Sequence, residues 1–329
     1  MKVIRAKSAG FCWGVERAIQ VAREESQGGK RTVYTDGPLI HNRQMMDALG
    51  KDDIQEVGDY QSKKKIELND ESEKESVVVV RAHGISPQRR DYLKGLGLPF
   101  RDGTCPDVGI IAGKVKSHAE KGFSIVIFGD PEHPEVIGLM GYAKEKAHVV
   151  ASENDISKLP YLGEKVAMVS QSTMFTHEFK HLSNLLSAKY PGLLIFDTIC
   201  GATKERQSDL VDLVKEGADA IVVIGGKHSA NTRKLAKLAA SHDRPTFHIE
   251  TVEDIQKADF DNFEINISGE GRKFKFAVAC QDEIFGLTEF IPGGLRWIKS
   301  FPTKKFGITT VNISFNELKP SIRANKVSF

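Results

Sequence analysis

Short apolar runs alternate with stretches of helical period through most of the chain. TVYTDG, VVVVRAHG, SIVIFGD, KVAMVSQ, AIVVIGG and KFAVAC are β-branched and almost continuously apolar, as strands buried on both faces of a parallel sheet are. MKVIRAK reads as a further short strand. From Phe11 to Arg23 the apolar residues Val15, Ala18, Ile19 and Ala22 share one helical face. HNRQMMDAL begins another helix, and the same period predicts helices over Asp107–Ser117, Thr176–Ala188, Lys204–Glu216 and Asn231–Ser241. Strands separated by helices predict an α/β fold with parallel sheets. Residues 58–76, GDYQSKKKIELNDESEKES, are strongly polar and read as a solvated surface excursion, open to disorder. TTVNISF predicts a late strand within a tail from Phe290 to Phe329.

The pattern repeats. Cys12, Cys105 and Cys200 each sit where an extended run gives way to a helix. Cys105 follows Cys12 by 93 residues, and Cys200 follows Cys105 by 95. That period is the length of a small α/β unit, so the chain reads as a threefold internal repeat. Each cysteine is followed by a helix, a strand and a glycine turn with a histidine: His41 lies 29 residues on, His133 and His228 each 28. A second strand and polar turn follow, in VVVVRAHGISP, KVAMVSQSTMF and KFAVACQDEIF. The expected units are 14–104, 105–198, and 1–13 with 199–289, the strand before Cys12 packing with the third unit; 290–329 remains as a C-terminal tail.

Loops after parallel strands gather at one edge of a sheet, where open α/β folds bind ligands. Three units sharing a centre would bring three thiolates together. Three thiolates suit an iron–sulfur cluster and leave one iron without a protein ligand. Two alternatives stay open on the residues alone: three cysteines buried as small hydrophobes, and a zinc ion with an open position, although zinc-type CxxC pairs are absent.

Composition narrows the class. The 329 residues suffice for two or three cores. Forty-six basic and 44 acidic residues give a net charge of +2, and no basic run interleaved with aromatics suggests nucleic acid. Four cysteines are too few for a disulfide scaffold. The start MKVIRAKSAG lacks the apolar core of a signal peptide, and no apolar run approaches the roughly 18 residues that span a bilayer. A cytoplasmic protein with reduced thiols and no membrane partner is expected.

GFCWGVERA, IHNR, RAHG, TCP, HPEV, SQST and DTICGATKERQ, in that order from about residue 8 to 235, resemble the motifs of the 4-hydroxy-3-methylbut-2-enyl diphosphate reductases, the LytB family. The resemblance implies three α/β units in a pseudo-threefold trefoil around a central 4Fe–4S cluster held by Cys12, Cys105 and Cys200. It implies a two-electron reductive dehydroxylation of an allylic alcohol diphosphate to isopentenyl and dimethylallyl diphosphate, with a ferredoxin- or flavodoxin-type electron donor. In HPEV, Pro134 fixes the backbone between His133 and Glu135, which on an extended turn point to the same side. By resemblance Glu135 is the proton donor, and Ser172 of SQST relays protons or holds the hydroxyl. His41, His83 and His133 correspond to histidines around the substrate; a loop histidine can donate to phosphate. Ser229 and Asn231 of KHSAN match residues that hold the diphosphate, at a helix N-terminus suited to anions. Taken alone, Glu135 reads as a helix cap or surface ion pair, the histidines as inert and Ser229 as a plain N-cap.

Two departures are legible. Ala230 stands where the family usually has a second serine. CQDEIF stands where the family's last loop reads roughly GASTP, placing Asp282 or Glu283 where a serine would meet the diphosphate. A carboxylate there opposes an anion, so weak diphosphate binding is expected. Cys280 reads as a small buried residue at a strand end. The departures keep two rivals in view: a related enzyme acting on a substrate without a diphosphate, and a non-catalytic iron–sulfur sensor.

Overall fold

The computed structural model describes residues 2–60, 66, 68, 75–251, 254, 275–280 and 310–312. Most of the polar excursion and of the C-terminal tail lies outside these residues, as do Asp282 and Glu283.

In chain order the elements are β1 (Lys2–Arg5), α1 (Trp13–Ser26), β2 (Thr32–Asp36), α2 (Arg43–Gly50), β3 (Ile54–Val57), β4 (Ser76–Val80), α3 (Pro87–Lys94) and β5 (Phe100–Asp102). Then come α4 (Pro106–Glu120), β6 (Ser124–Phe128), α5 (Pro134–Ala143), β7 (Ala147–Val150), α6 (Glu153–Lys158), β8 (Val166–Ser170), α7 (Thr176–Lys189) and β9 (Leu194–Ile195). The described chain closes with α8 (Gly201–Lys215), β10 (Ala220–Ile224), α9 (Ala230–Ala240), β11 (Thr246–Ile249), β12 (Lys275–Cys280) and β13 (Thr310–Asn312). The helices expected from periodicity appear, with ends displaced by at most three residues. Short edge strands such as β3, β7 and β9 carry too few apolar residues to show a period.

Three sheets form, ordered β3-β2-β4-β5, β7-β6-β8-β9 and β11-β10-β12-β1-β13. Among the described residues every pairing is parallel except β1 with β13. The three orders are one pattern. In each, the strand before a cysteine (β5, β9, β1) flanks a central strand (β4, β8, β12), which flanks the strand that follows that repeat's first helix (β2, β6, β10). Central strands β2, β4, β6, β8 and β10 are buried along nearly their whole length, as their apolar runs require.

The chain divides into two compact units, Cys12–Thr203 and Met1–Phe11 with Lys204–Phe329. The first holds two of the sheets. Its second sheet packs Ile111, Val115 and Ala119 of α4 and Val136 and Leu139 of α5 on one face, and Phe179, Leu182 and Leu186 of α7 on the other. The other unit holds the five-stranded sheet, with Leu210, Leu213 and Leu235 packed on Ile221 and Val223. Here β1 joins the C-terminal strands. The segment after β1 is tied to α8: Ser8 N–H donates to Asp209 Oδ2 (2.6 Å) and Arg206 Nη2 donates to the Gly10 carbonyl (2.7 Å).

Candidate functional site

Parallel strands put their following loops at one edge, and in the unit Cys12–Thr203 backbone bonds lace those loops together. Ala82 N–H donates to Leu39 O (3.2 Å) and Cys105 N–H to Ala82 O (2.9 Å). In the second sheet Gln171 N–H donates to Phe128 O (2.8 Å) and Cys200 N–H to Ser172 O (3.0 Å). The loop before each of Cys105 and Cys200 is therefore bonded to the RAHG or SQST loop beside it.

Each cysteine stands at the start of a helix. Cys12 and Cys105 are the N-caps of α1 and α4, without a side-chain cap bond, and Cys200 directly precedes α8. All three are free and half-buried. Burial pushes the Cys105 thiol up to about 11, against the pull of the Asp107 and Val108 backbone N–H groups, and Cys12 adds to the rise. Burial likewise raises Cys200, opposed by Thr203, with Cys12 and Glu135 raising it further. Cys200 Sγ lies 3.2 Å from Thr203 Oγ1 and accepts Thr203 N–H at 3.4 Å. Cys12 thus acts electrostatically on both other thiols, an arrangement that disfavours bare thiolates and that a bound cation would relieve. Gly14 makes room for it: a Cβ there would overlap Cys105 Sγ. Three thiols at helix starts, with Cys12 acting on the other two and a glycine cleared beside Cys105, are a donor set that fits a thiolate-held cluster.

The motif HPEV differs from the expected extended turn. His133 is the N-cap of α5, and Pro134 opens the helix, a position where proline's missing N–H costs nothing and its φ is already helical. His133 and Glu135 still converge, because a cap and the first turn face the same loops. Glu135 is 1% exposed. Its Oε1 accepts Ser172 N–H at 2.7 Å and its Oε2 accepts Ser172 Oγ–H at 2.6 Å. This pair is neither a surface ion pair nor a cap.

His41, His83 and His133 form one cluster. Ring centroids are 4.5 Å apart for His41–His83, 5.4 Å for His83–His133 and 6.1 Å for His41–His133, and one ring nitrogen from each lies within 4.8 Å of the others. Close helix packing brings two of them together. Gly138 and Gly141 of α5 face Ile85 and Ser86, just after His83, and a Cβ on Gly141 would come 2.5 Å from Ser86 Cβ. Gly84, at φ 70°, turns the chain between them.

Three histidines at this spacing could hold a metal. Their surroundings select the opposite polarity. A metal-bound imidazole keeps its proton on the other nitrogen and donates it outward. His133 Nδ1 instead accepts Glu135 N–H (3.2 Å), and His83 Nδ1 faces Arg81 Nη2 (3.3 Å), which can only donate. Both rings therefore carry the proton on Nε2 and present N–H donors, as an anion requires. Burial holds His83 well below the ordinary imidazole value, and His41, Arg81 and His133 lower it further.

A cavity of about 430 Å³ is lined by Glu135, His83 and Cys105 together with the cationic Arg17, Arg90 and Lys116. Ser229 and Asn231 lie in the other unit, in the loop after β10. Ser229 caps α9, its Oγ accepting Thr232 N–H (3.4 Å), and both side chains are buried. His228, the third histidine of the repeat, is exposed there. Sequence reasoning missed Arg81, Thr203 and Gly14, although all three stand inside or beside the quoted motifs.

The family model for LytB protein matches residues 3–268. The chain belongs to the LytB family. It is 58% identical over 266 residues to the 4-hydroxy-3-methylbut-2-enyl diphosphate reductase of Opitutus terrae, covering 80% of this chain and 92% of that relative. It is 38% identical over 267 residues to the reductase of Alkaliphilus oremlandii, covering 80% and 91%. Among solved structures it is similar to the E-1-hydroxy-2-methyl-but-2-enyl-4-diphosphate reductase of Plasmodium falciparum, at TM-score 0.73 and 27% identity over 85% of this chain and 82% of that one. A second family model, Complex I intermediate-associated protein 30, matches residues 244–329. CQDEIF therefore lies past the LytB match and inside the second one. The match carries no correspondence between Glu283 and the LytB family's last loop. Yet β12, also past residue 268, hydrogen-bonds between β10 and β1, so a segment beyond the LytB match supplies a central strand of this sheet.

Proposed function

We propose that this LytB-family chain is a 4-hydroxy-3-methylbut-2-enyl diphosphate reductase of isoprenoid biosynthesis. The observation that carries the reading is Glu135: a buried carboxyl held at both oxygens by Ser172, two residues from a histidine of the triad, and within electrostatic reach of Cys200. A redox sensor would have no use for that group.

Cys12, Cys105 and Cys200 would hold a 4Fe–4S cluster at the centre of three trefoil-related α/β units, the third being 1–13 with 199–289. Bound there, the cluster supplies electrons, delivered by a ferredoxin- or flavodoxin-type partner, and an iron with no protein ligand. The chain's own residues do the rest. His83 and His133 offer Nε2–H donors and, with His41, bind the diphosphate; the family resemblance assigns Ser229 and Asn231, at the start of α9, to diphosphate binding as well. Ser172 Oγ orients the Glu135 carboxyl toward the substrate hydroxyl. Glu135 gives a proton as the allylic C–O bond breaks, and the oxygen leaves as water; two electrons and a second proton complete the alkene product. The reaction belongs in the cytoplasm, where thiols stay reduced. Among the described residues no helix is long and apolar enough to cross a membrane.

The test is anaerobic turnover of the diphosphate substrate by cluster-loaded protein, alongside Cys12→Ser, Cys105→Ser and Cys200→Ser. Wild type should carry about four irons per chain and turn over; each variant should lose most of the iron. Full iron content with no turnover would reject the substrate, and full iron in the three variants would reject the ligands.

A further inference from the structure

Arg81 is the largest fully buried side chain among the described residues, at 0% exposure. Among the described residues its Nε and Nη1 have no hydrogen-bond partner. Its guanidinium stacks 4.4 Å over the Tyr60 ring, and its Nη2 reaches His83 Nδ1. A buried cation with open donors is costly, and a native protein keeps one only for a reason.

The internal repeat shows what the slot needs structurally. Arg81 is the first residue after β4; Gln171 is the first after β8. Both are wholly buried. Each packs against the glycine that follows the neighbouring strand: a Cβ on Gly37 would come 3.2 Å from Arg81 Nη1, and one on Gly129 would come 3.0 Å from Gln171 Oε1. The neutral Gln171 fills its slot with bonds from Asp130 N–H (3.0 Å) and to Thr173 Oγ1 (2.9 Å). The slot itself thus takes a neutral residue in the second repeat, whereas in the first the buried Asp36 carboxylate, with Glu56, also acts on the Arg81 charge. The charge appears in the repeat whose next-but-one residue is His83.

We propose that Arg81 is a positioning residue that holds His83 as the neutral Nε2–H tautomer, aiming that N–H at the anionic end of the substrate. The inference rests on the diphosphate reading of the triad. Arginine has five donors and no acceptor, so a proton on His83 Nδ1 would face another N–H with nowhere to go. A lysine could donate in the same direction as a single point charge; a methionine could not. The backbone N–H of Glu135 does the same for His133, so two of the three rings are held as donors from behind, one by main chain and one by Arg81.

The test uses cluster-loaded protein labelled with ¹⁵N-histidine. Imidazole nitrogen shifts report the His83 tautomer, and calorimetry with inorganic pyrophosphate reports anion binding. Wild type should show His83 protonated on Nε2 alone. Arg81→Met fills similar volume without charge, a kind of replacement that buried charges often tolerate. It should show mixed tautomers and about tenfold weaker pyrophosphate binding, while Arg81→Lys should restore most of both. A His83 proton on Nδ1 in wild type, or an Arg81→Met protein with both readouts unchanged, overturns the proposal. A wild type with the expected tautomer that binds no pyrophosphate would leave Arg81's role standing and reject the diphosphate reading.

Discussion

Glu135 and His83 show how much a few ångströms of surroundings decide. Glu135→Gln can still accept Ser172 N–H through its amide oxygen while its NH2 donates to Ser172 Oγ, reversing that bond, and it removes the transferable proton. Turnover should fall about a hundredfold or more, the scale for a general acid, with iron content and melting temperature unchanged; near-normal turnover would take Glu135 out of the reaction. His83 makes a prediction about stability. Its folded-state value lies well below 6.5, first through burial and then through His41, Arg81 and His133. On acidification the unfolded chain takes up a proton at this residue near pH 6.5 while the folded protein does not, so stability is full above that pH and is lost as pH falls below it. Thermal melts from pH 7.5 to 5 should show a smaller decline for His83→Gln than for wild type. Equal declines would mean that other groups govern the acid limb.

At the scale of elements, α5 is the piece on which the site turns. Its first residues carry Glu135 behind the His133 cap, and its glycine face lets the Ile85–Ser86 segment approach closely enough for His83 to meet His133. Gly141→Ala puts a methyl group against Ser86 and must push the segment away. Overpacking of this kind costs about 1–3 kcal/mol. Pyrophosphate affinity should fall along with stability. A variant that loses stability but binds pyrophosphate normally would show that α5 does not set the spacing of the histidines. The helix starts also explain why the cysteines read so clearly as a repeat: each occupies the junction where strand dihedrals change to helical ones, and the repeated sheet order β5, β9, β1 leads into that junction three times.

Across the whole molecule, the notable feature is the seam near residue 268. The LytB match stops there, yet β12 begins at Lys275 and pairs in parallel with β10 on one side and β1 on the other. Without β12, β10 and β1 lose the strand that joins them, and unpaired backbone groups in a buried sheet are expensive. A chain ending at residue 268 should lose hydrogen-exchange protection at Ile221–Ile224, while Val166–Ser170 in the other unit stays protected. Unchanged protection at Ile221–Ile224 would show that the sheet does not depend on the segment beyond the LytB match.

What the amino-acid order determined by itself were the patterns that local physics writes into neighbours. Continuous β-branched runs demand burial on both sides, helical periods follow 3.6-residue geometry, and cysteines recur at matching junctions. The α/β class, the repeat and the LytB motifs were legible for those reasons. The tertiary structure decided what depends on residues far apart in the chain. Ser172 closes on Glu135 across 37 positions, Gly14 yields space to Cys105, and β12 comes to lie between β10 and β1. It also decided polarity. A histidine's sequence neighbours do not say which nitrogen holds its proton, whereas a buried guanidinium and a helix-start N–H do, because donors packed against Nδ1 leave the proton only Nε2.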